Sequence, residues 1–136
     1  MAEEILKFTK LTFIIHFIIG LAFTILFWIP DITIPIFLGV ASLDLDTHAL
    51  TLTIGCLFAG FTMSSLLGIL AKEWKQVKIV VISEIVWLVC NFVISIVSFP
   101  VLTAAGAALN LVVTLITLVL FILTFLQQED KLKPLF

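Results

Sequence analysis

The sequence predicts an all-α integral membrane protein: an up-down-up-down four-helix bundle with both termini on the cytoplasmic side. Three observations predict it. The 136-residue chain is 62% hydrophobic and only 12% charged, with a mean hydropathy of +1.34. Soluble domains carry roughly twice that charge fraction, and a chain of this length has too small an interior to hide so much apolar surface, so lipid is the expected solvent. Four apolar runs, each long enough to cross a hydrocarbon layer at about 1.5 Å per residue, are separated by turn formers and charges. Finally, the positive charges, all lysine, fall at one level of such a bundle.

The first run, 11–29, follows the polar start MAEEILKFTK. Lys7 and Lys10 ahead of an apolar stretch also suit a signal peptide. The run exceeds the usual signal core of about 7–15 residues, so it is read as a span. Segment 30–47 opens with Pro30-Asp31 and contains Pro35, Gly39, Asp44 and Asp46 around the apolar core IPIFLGV. It reads as an interfacial or re-entrant segment, with Trp28 at the membrane–water boundary. Asp44 or Asp46 is suited to cap the next helix, because a carboxylate accepts from free backbone N–H groups and matches the positive helix end.

The second span, 48–71, carries Gly60, Ser64 and Gly68 four residues apart, a small-residue stripe that allows close approach of a neighbouring helix. The charged turn KEWKQVK leads into the third span, 77–99, which ends at Pro100. The fourth, 102–126, opens with AAGAA and is followed by a polar tail. The two short connections predict antiparallel neighbours, and the whole of 1–136 reads as one domain. Lys7 and Lys10, then Lys72, Lys75 and Lys78, then Lys131 and Lys133 all fall on the same side. The positive-inside rule makes that side the cytoplasm of a cell-membrane protein.

Glu84 is the one acidic residue well inside a span, and an intramembrane carboxylate is a functional candidate by default. His16 in the first span falls at a similar depth, about 10 Å from the cytoplasmic end. Ser64 and Ser65 of the second span and Thr117 of the fourth share this layer, and Trp87 stands beside Glu84. Two roles are open for Glu84. It meets His16 as a proton-linked or ligand-anchoring pair, or it is neutral and bonded to Ser64 or Ser65, fixing helix register. Asn91 and Asn110 form a second polar level nearer the outside, expected as an interhelical hydrogen bond.

The remaining chemistry is sparse. His16 and His48 lie too far apart in height to share one haem, and no metal or cofactor is expected. His48 is placed near Asp44 and Asp46. Cys56 and Cys90 fall at similar heights and are conceivable as a redox pair, although neither sits in a CxxC motif. No nucleophile–base constellation is visible, so an enzyme is not favoured. With no arginine and no basic patch, nucleic acid is excluded as a partner.

The layout of a first helix with mid-span Gly20, the outer segment IPIFLG, a glycine-rich second helix and SEIVW in the third resembles the small four-helix membrane proteins grouped as DoxX-like. For some members the resemblance implies quinone or thiol redox chemistry; this chain departs from that in having no paired-cysteine motif. Small multidrug-type transporters also have four helices and a membrane glutamate, but in their first helix, not the third. Three functional expectations follow. The first is a non-catalytic accessory subunit of a larger membrane complex. The second is a binder of a lipid, quinone or other apolar ligand near Glu84. The third is a small proton-coupled transporter, as a homo-oligomer.

Overall fold

The computed structural model describes residues 4–40 and 44–130. Among them are five α-helices: α1 (Lys7–Phe27), α2 (Pro30–Leu38), α3 (Leu45–Leu70), α4 (Trp74–Val97) and α5 (Ala104–Gln128), with a 3-10 turn at Phe99–Val101 before α5. All but α2 are long and apolar enough to cross a membrane, and only 22–28% of their most apolar windows is buried inside the fold. Ile18, Ile79 and Val97 are each at least 60% exposed. Apolar side chains turned outward along four such helices require lipid around them. The protein is a multi-pass membrane protein.

The helices associate as two close pairs, α1 with α3 and α4 with α5. Along α1 and α3 the partners run in opposite order. Gly68 lies against Phe13, Thr62 against Gly20, and Gly55 against Trp28. Along α4 and α5 they do the same, from the Trp74–Phe125 ring contact to the Asn91–Asn110 hydrogen bond. The pairs join where α1 meets α5, with Phe13 and Phe121 edge to face at 5.7 Å. Between α3 and α4 the backbones stay further apart, although only a short link joins them.

The first three spans begin three or four residues earlier than the sequence expectation, and at α3 and α4 polar residues form the caps. α4 starts at Trp74 rather than 77, since Gln76 Oε1 accepts from the backbone N–H groups of Lys72 and Glu73, at 2.9 and 3.2 Å. The turn KEWKQVK is thus mostly first-turn helix. α3 starts at Leu45 rather than 48, with Asp44 Oδ1 accepting from Thr47 N at 2.7 Å. These bonds from Thr47 hold the exposed Asp44 carboxyl below the usual carboxylate range. Segment 30–47 contains a helix over Pro30–Leu38, begun by a proline in its first turn and stopped by Gly39 at φ 69°. Lys131 and Lys133 lie outside the described residues.

Each end of the fold is closed by polar contacts. At the end bearing the described lysines, Gln128 Oε1 accepts from Leu6 N and Thr9 Oγ1, and its Nε2 donates to Glu4 O. Thr124 donates to Thr12. Glu129 accepts from Trp74 Nε1 and pairs with Lys78 Nζ, each at 2.6 Å. At the opposite end, Thr103 N donates to Phe37 O and Thr103 Oγ1 to Ile36 O, tying α2 to the start of α5. His48 Nε2 lies 3.4 Å from Asp31 of α2, and His48 is also near Asp44, its backbone N donating to Asp44 O at 3.3 Å. Cys56 and Cys90 are free and exposed; they form no pair.

The small-residue stripe of the second span does not act as one face. A Cβ on Gly68 would meet the Phe13 ring at 2.6 Å, Ser64 turns to α4, and Gly60 has nothing within 4 Å. The glycine closest to another segment's backbone lies elsewhere: a Cβ on Gly106 would stand 2.8 Å from the Phe37 backbone. Gly106→Ala is therefore expected to destabilise by about 1–3 kcal/mol through overpacking. Gly60→Ala is expected to be neutral or to gain up to about 1 kcal/mol from helix propensity. Thermal unfolding of both variants in the same detergent checks the contrast, and equal melting shifts would contradict it.

Candidate functional site

The site is assembled by three helices. α1 brings His16, α3 brings Ser64 and Ser65, and α4 brings Glu84. Because α1 and α3 run in opposite directions, the short i to i+4 spacing His16–Gly20 meets Ser65–Thr62 across a close backbone approach. Gly20 permits it: a Cβ there would lie 2.6 Å from Thr62 Oγ1. His16 is 6% exposed and Glu84 2%. His16 Nδ1 and Ser65 Oγ are 2.7 Å apart. Ser65 Oγ also lies 3.1 Å from the Phe61 carbonyl oxygen; with the hydroxyl donating there, Ser65 accepts from His16 and the neutral-ring proton lies on Nδ1.

That assignment turns the Nε2 lone pair toward Glu84. Nε2 and Glu84 Oε2 are 3.9 Å apart, and Oε2 is buried without a hydrogen-bond partner. The other carboxylate oxygen, Oε1, faces the Ser64 hydroxyl at 3.3 Å. Ser64 also donates to Phe61 O at 2.8 Å, the shorter of its two contacts. Glu84 thus has one weakly solvated oxygen and one bare oxygen aimed at an imidazole. Such a carboxylate is costly in an apolar interior. A proton on Oε2 neutralises the carboxylate, and a proton on Nε2 sets an imidazolium against it.

The remaining predicted residues stand above this layer, away from the lysine end. Trp87 packs on Phe61 at 4.6 Å between ring centres and edge-on to Phe58 at 6.2 Å, and does not touch the pair's oxygens by any polar contact among the described residues. Asn91 Nδ2 donates to Asn110 Oδ1 at 3.4 Å and more closely to Thr114 Oγ1 at 2.7 Å, while Asn110 Nδ2 donates to Ser95 Oγ at 2.8 Å. The second polar level is therefore a four-residue network. Thr117 is buried but spends its hydroxyl on its own helix, donating to Val113 O.

A cavity of about 30 Å³ lies between the two polar levels, touching His16, Asn91, Asn110, Thr114 and Thr117. It has room for about two waters and none for a quinone ring. A second space, a groove of about 320 Å³, opens between α3 and α4 at the lysine end, lined by Ser64, Leu67, Gly68, Gln76 and Val80 among others. Sequence reasoning missed the residue that bounds the site from below. Phe121 is 0% exposed and stands edge-on to the His16 ring at 5.0 Å. A phenylalanine among thirteen carries no signal of its own. Among the described residues no group of three His, Cys, Asp or Glu could hold a metal ion. No family model, no curated protein and no solved structure matches the chain.

Proposed function

We propose that this is a proton-linked membrane protein, with both termini in the cytoplasm, whose working group is the Glu84–His16 pair. The observation that carries the reading is the bare Glu84 Oε2, buried and 3.9 Å from His16 Nε2. A group serving only helix register would have its acceptors filled, as Asn110 Oδ1 is by Asn91. The antiparallel order of contacts and the lysines at one end support the up-down-up-down arrangement with that end cytoplasmic. The small size of the cavity beside His16 speaks against a quinone in the core.

Infrared spectroscopy of the reconstituted protein across a pH titration tests the reading. A carboxyl C=O band that appears or disappears with pH in the wild type is expected, and it is expected to be absent in Glu84→Gln. A pH-dependent band set identical in the two proteins would overturn the assignment.

A further inference from the structure

We infer that the Glu84–His16 pair separates two access paths from opposite sides of the membrane, and that the protein moves protons between them. The inference rests on the proton-holding reading of the pair and adds a route and a cargo to it.

The division is visible residue by residue. On α4 the groove is lined by Gln76, Val77 and Val80, and the small cavity by Trp87, Leu88 and Asn91. Glu84 falls between the two sets. On α3 the groove takes Ser64 and the residues toward the lysine end, and the cavity takes Phe61 and Phe58, toward the other end. His16 lines the cavity but not the groove. Ser64, bonded to Glu84, lines the groove but not the cavity. The cavity thus reaches His16 itself and the groove reaches Glu84 through Ser64, and among the described residues the pair is the only bridge of Asp, Glu, His or Lys inside the spans. Inside the spans the chain has no other Asp, Glu, His or Lys between residues 11 and 27, 49 and 70, 79 and 97, or 104 and 128.

The packed neighbours keep the paths apart. On α5, a polar file of Asn110, Thr114, Thr117, Thr124 and Gln128 follows one face through the core. Phe121 interrupts it, wedged against Phe13 and His16. Water that reaches Thr117 therefore meets an aromatic wall rather than the threonines below. The way onward is through the imidazole.

The transfer balances as a single proton. A proton from water in the cavity binds the His16 Nε2 lone pair. The Nε2–H bond then breaks as an Oε2–H bond forms on Glu84, which restores the neutral ring. The carboxylic acid turns to bring the protonated oxygen beside Ser64 and releases the proton to water in the groove, which restores the carboxylate. The 3.9 Å gap is about 1 Å longer than a hydrogen bond, so the middle step needs a closing movement or a bridging water.

The test uses the full chain with Cys56→Ser and Cys90→Ser, reconstituted in one orientation and exposed to a membrane-impermeant thiol reagent. Ser64→Cys is expected to react only from the lysine side, and Thr117→Cys only from the opposite side. Leu67→Cys and Val113→Cys, which line the same two spaces, repeat the measurement where either polar substitution perturbs folding. In vesicles with a trapped pH dye, the wild type is expected to pass protons and Glu84→Gln to fall to the level of empty vesicles. Reaction from one shared side, no reaction at any of the four positions, or unchanged flux in Glu84→Gln would overturn the inference. A Glu84-dependent infrared band alongside any of those outcomes would leave the proton-holding reading intact and remove only the route.

Discussion

Phe121→Ala is expected to destabilise the protein by about 3–5 kcal/mol, the cost of emptying a fully buried aromatic site. The ring is 0% exposed and its neighbours cannot collapse into the space. Phe13 is pinned between it and Gly68, and His16 is held by Ser65. The substitution also joins the polar groups above the wall, Thr117 and Thr114, to Thr124 and Thr12 below it. A cavity between hydroxyls fills with water, unlike one lined by apolar side chains. Two readouts are therefore expected together: a large fall in unfolding temperature, and proton leakage that no longer depends on Glu84. Phe121→Leu, which keeps most of the volume, is expected to cost markedly less and to leak less. If Phe121→Ala and Phe121→Leu unfold at the same temperature, the ring is not the plug described here.

The second large effect concerns the pair itself. His16→Leu is expected to cost about 3–5 kcal/mol, the usual penalty when one partner of a buried polar pair is removed and the other left uncompensated. The loss falls on Glu84 Oε2, which has no other partner, and on Ser65 Oγ, which loses its donor. Replacing both members, His16→Leu with Glu84→Leu, is expected to recover a large part of that loss, because two apolar groups leave nothing unpaired. The sum of the single effects should exceed the double effect by about 0.5–3 kcal/mol, the range for residues in contact. Additive single effects in a detergent unfolding cycle would show that the two side chains do not sense each other. A stable but proton-inert double variant is the result that separates stability from function at this site.

The membrane spans were legible because length and apolar composition suffice to define them. The depth match of His16 and Glu84 was legible too, since antiparallel helices rising about 1.5 Å per residue convert sequence offset into height. Rotation was not. Helices that are apolar nearly all round carry no periodic signal to say which face turns inward, so the stripe Gly60, Ser64 and Gly68 looked like one surface when its members look three ways. Threonines were silent for a related reason. Thr24, Thr62 and Thr117 each donate to a carbonyl of their own helix, so a threonine in an apolar run satisfies itself whether or not it also lines a cavity. α2 was hidden by its prolines: Pro30 fits a first turn, but Pro35 sits inside the helix, where sequence rules place a break. Asp44 was readable as a cap because its chemistry is local, needing only the N–H of Thr47 three residues on.

The closure between the first and last helices has a consequence for how the protein is made. Thr9 and Gln128 are 119 residues apart in sequence, yet share a buried hydrogen bond. When α1 leaves the ribosome, the residues that cap its polar end do not yet exist. It waits in the bilayer with Thr9 and Thr12 unfilled, held by its tight seam with α3. The link between α3 and α4 is the looser one, so the α1–α3 and α4–α5 pairs are expected to form before they dock. The last turn of α5 is then the latch of the assembly. A nascent chain truncated before Gln128 should remain open to membrane quality-control proteases, even with all four spans already inserted.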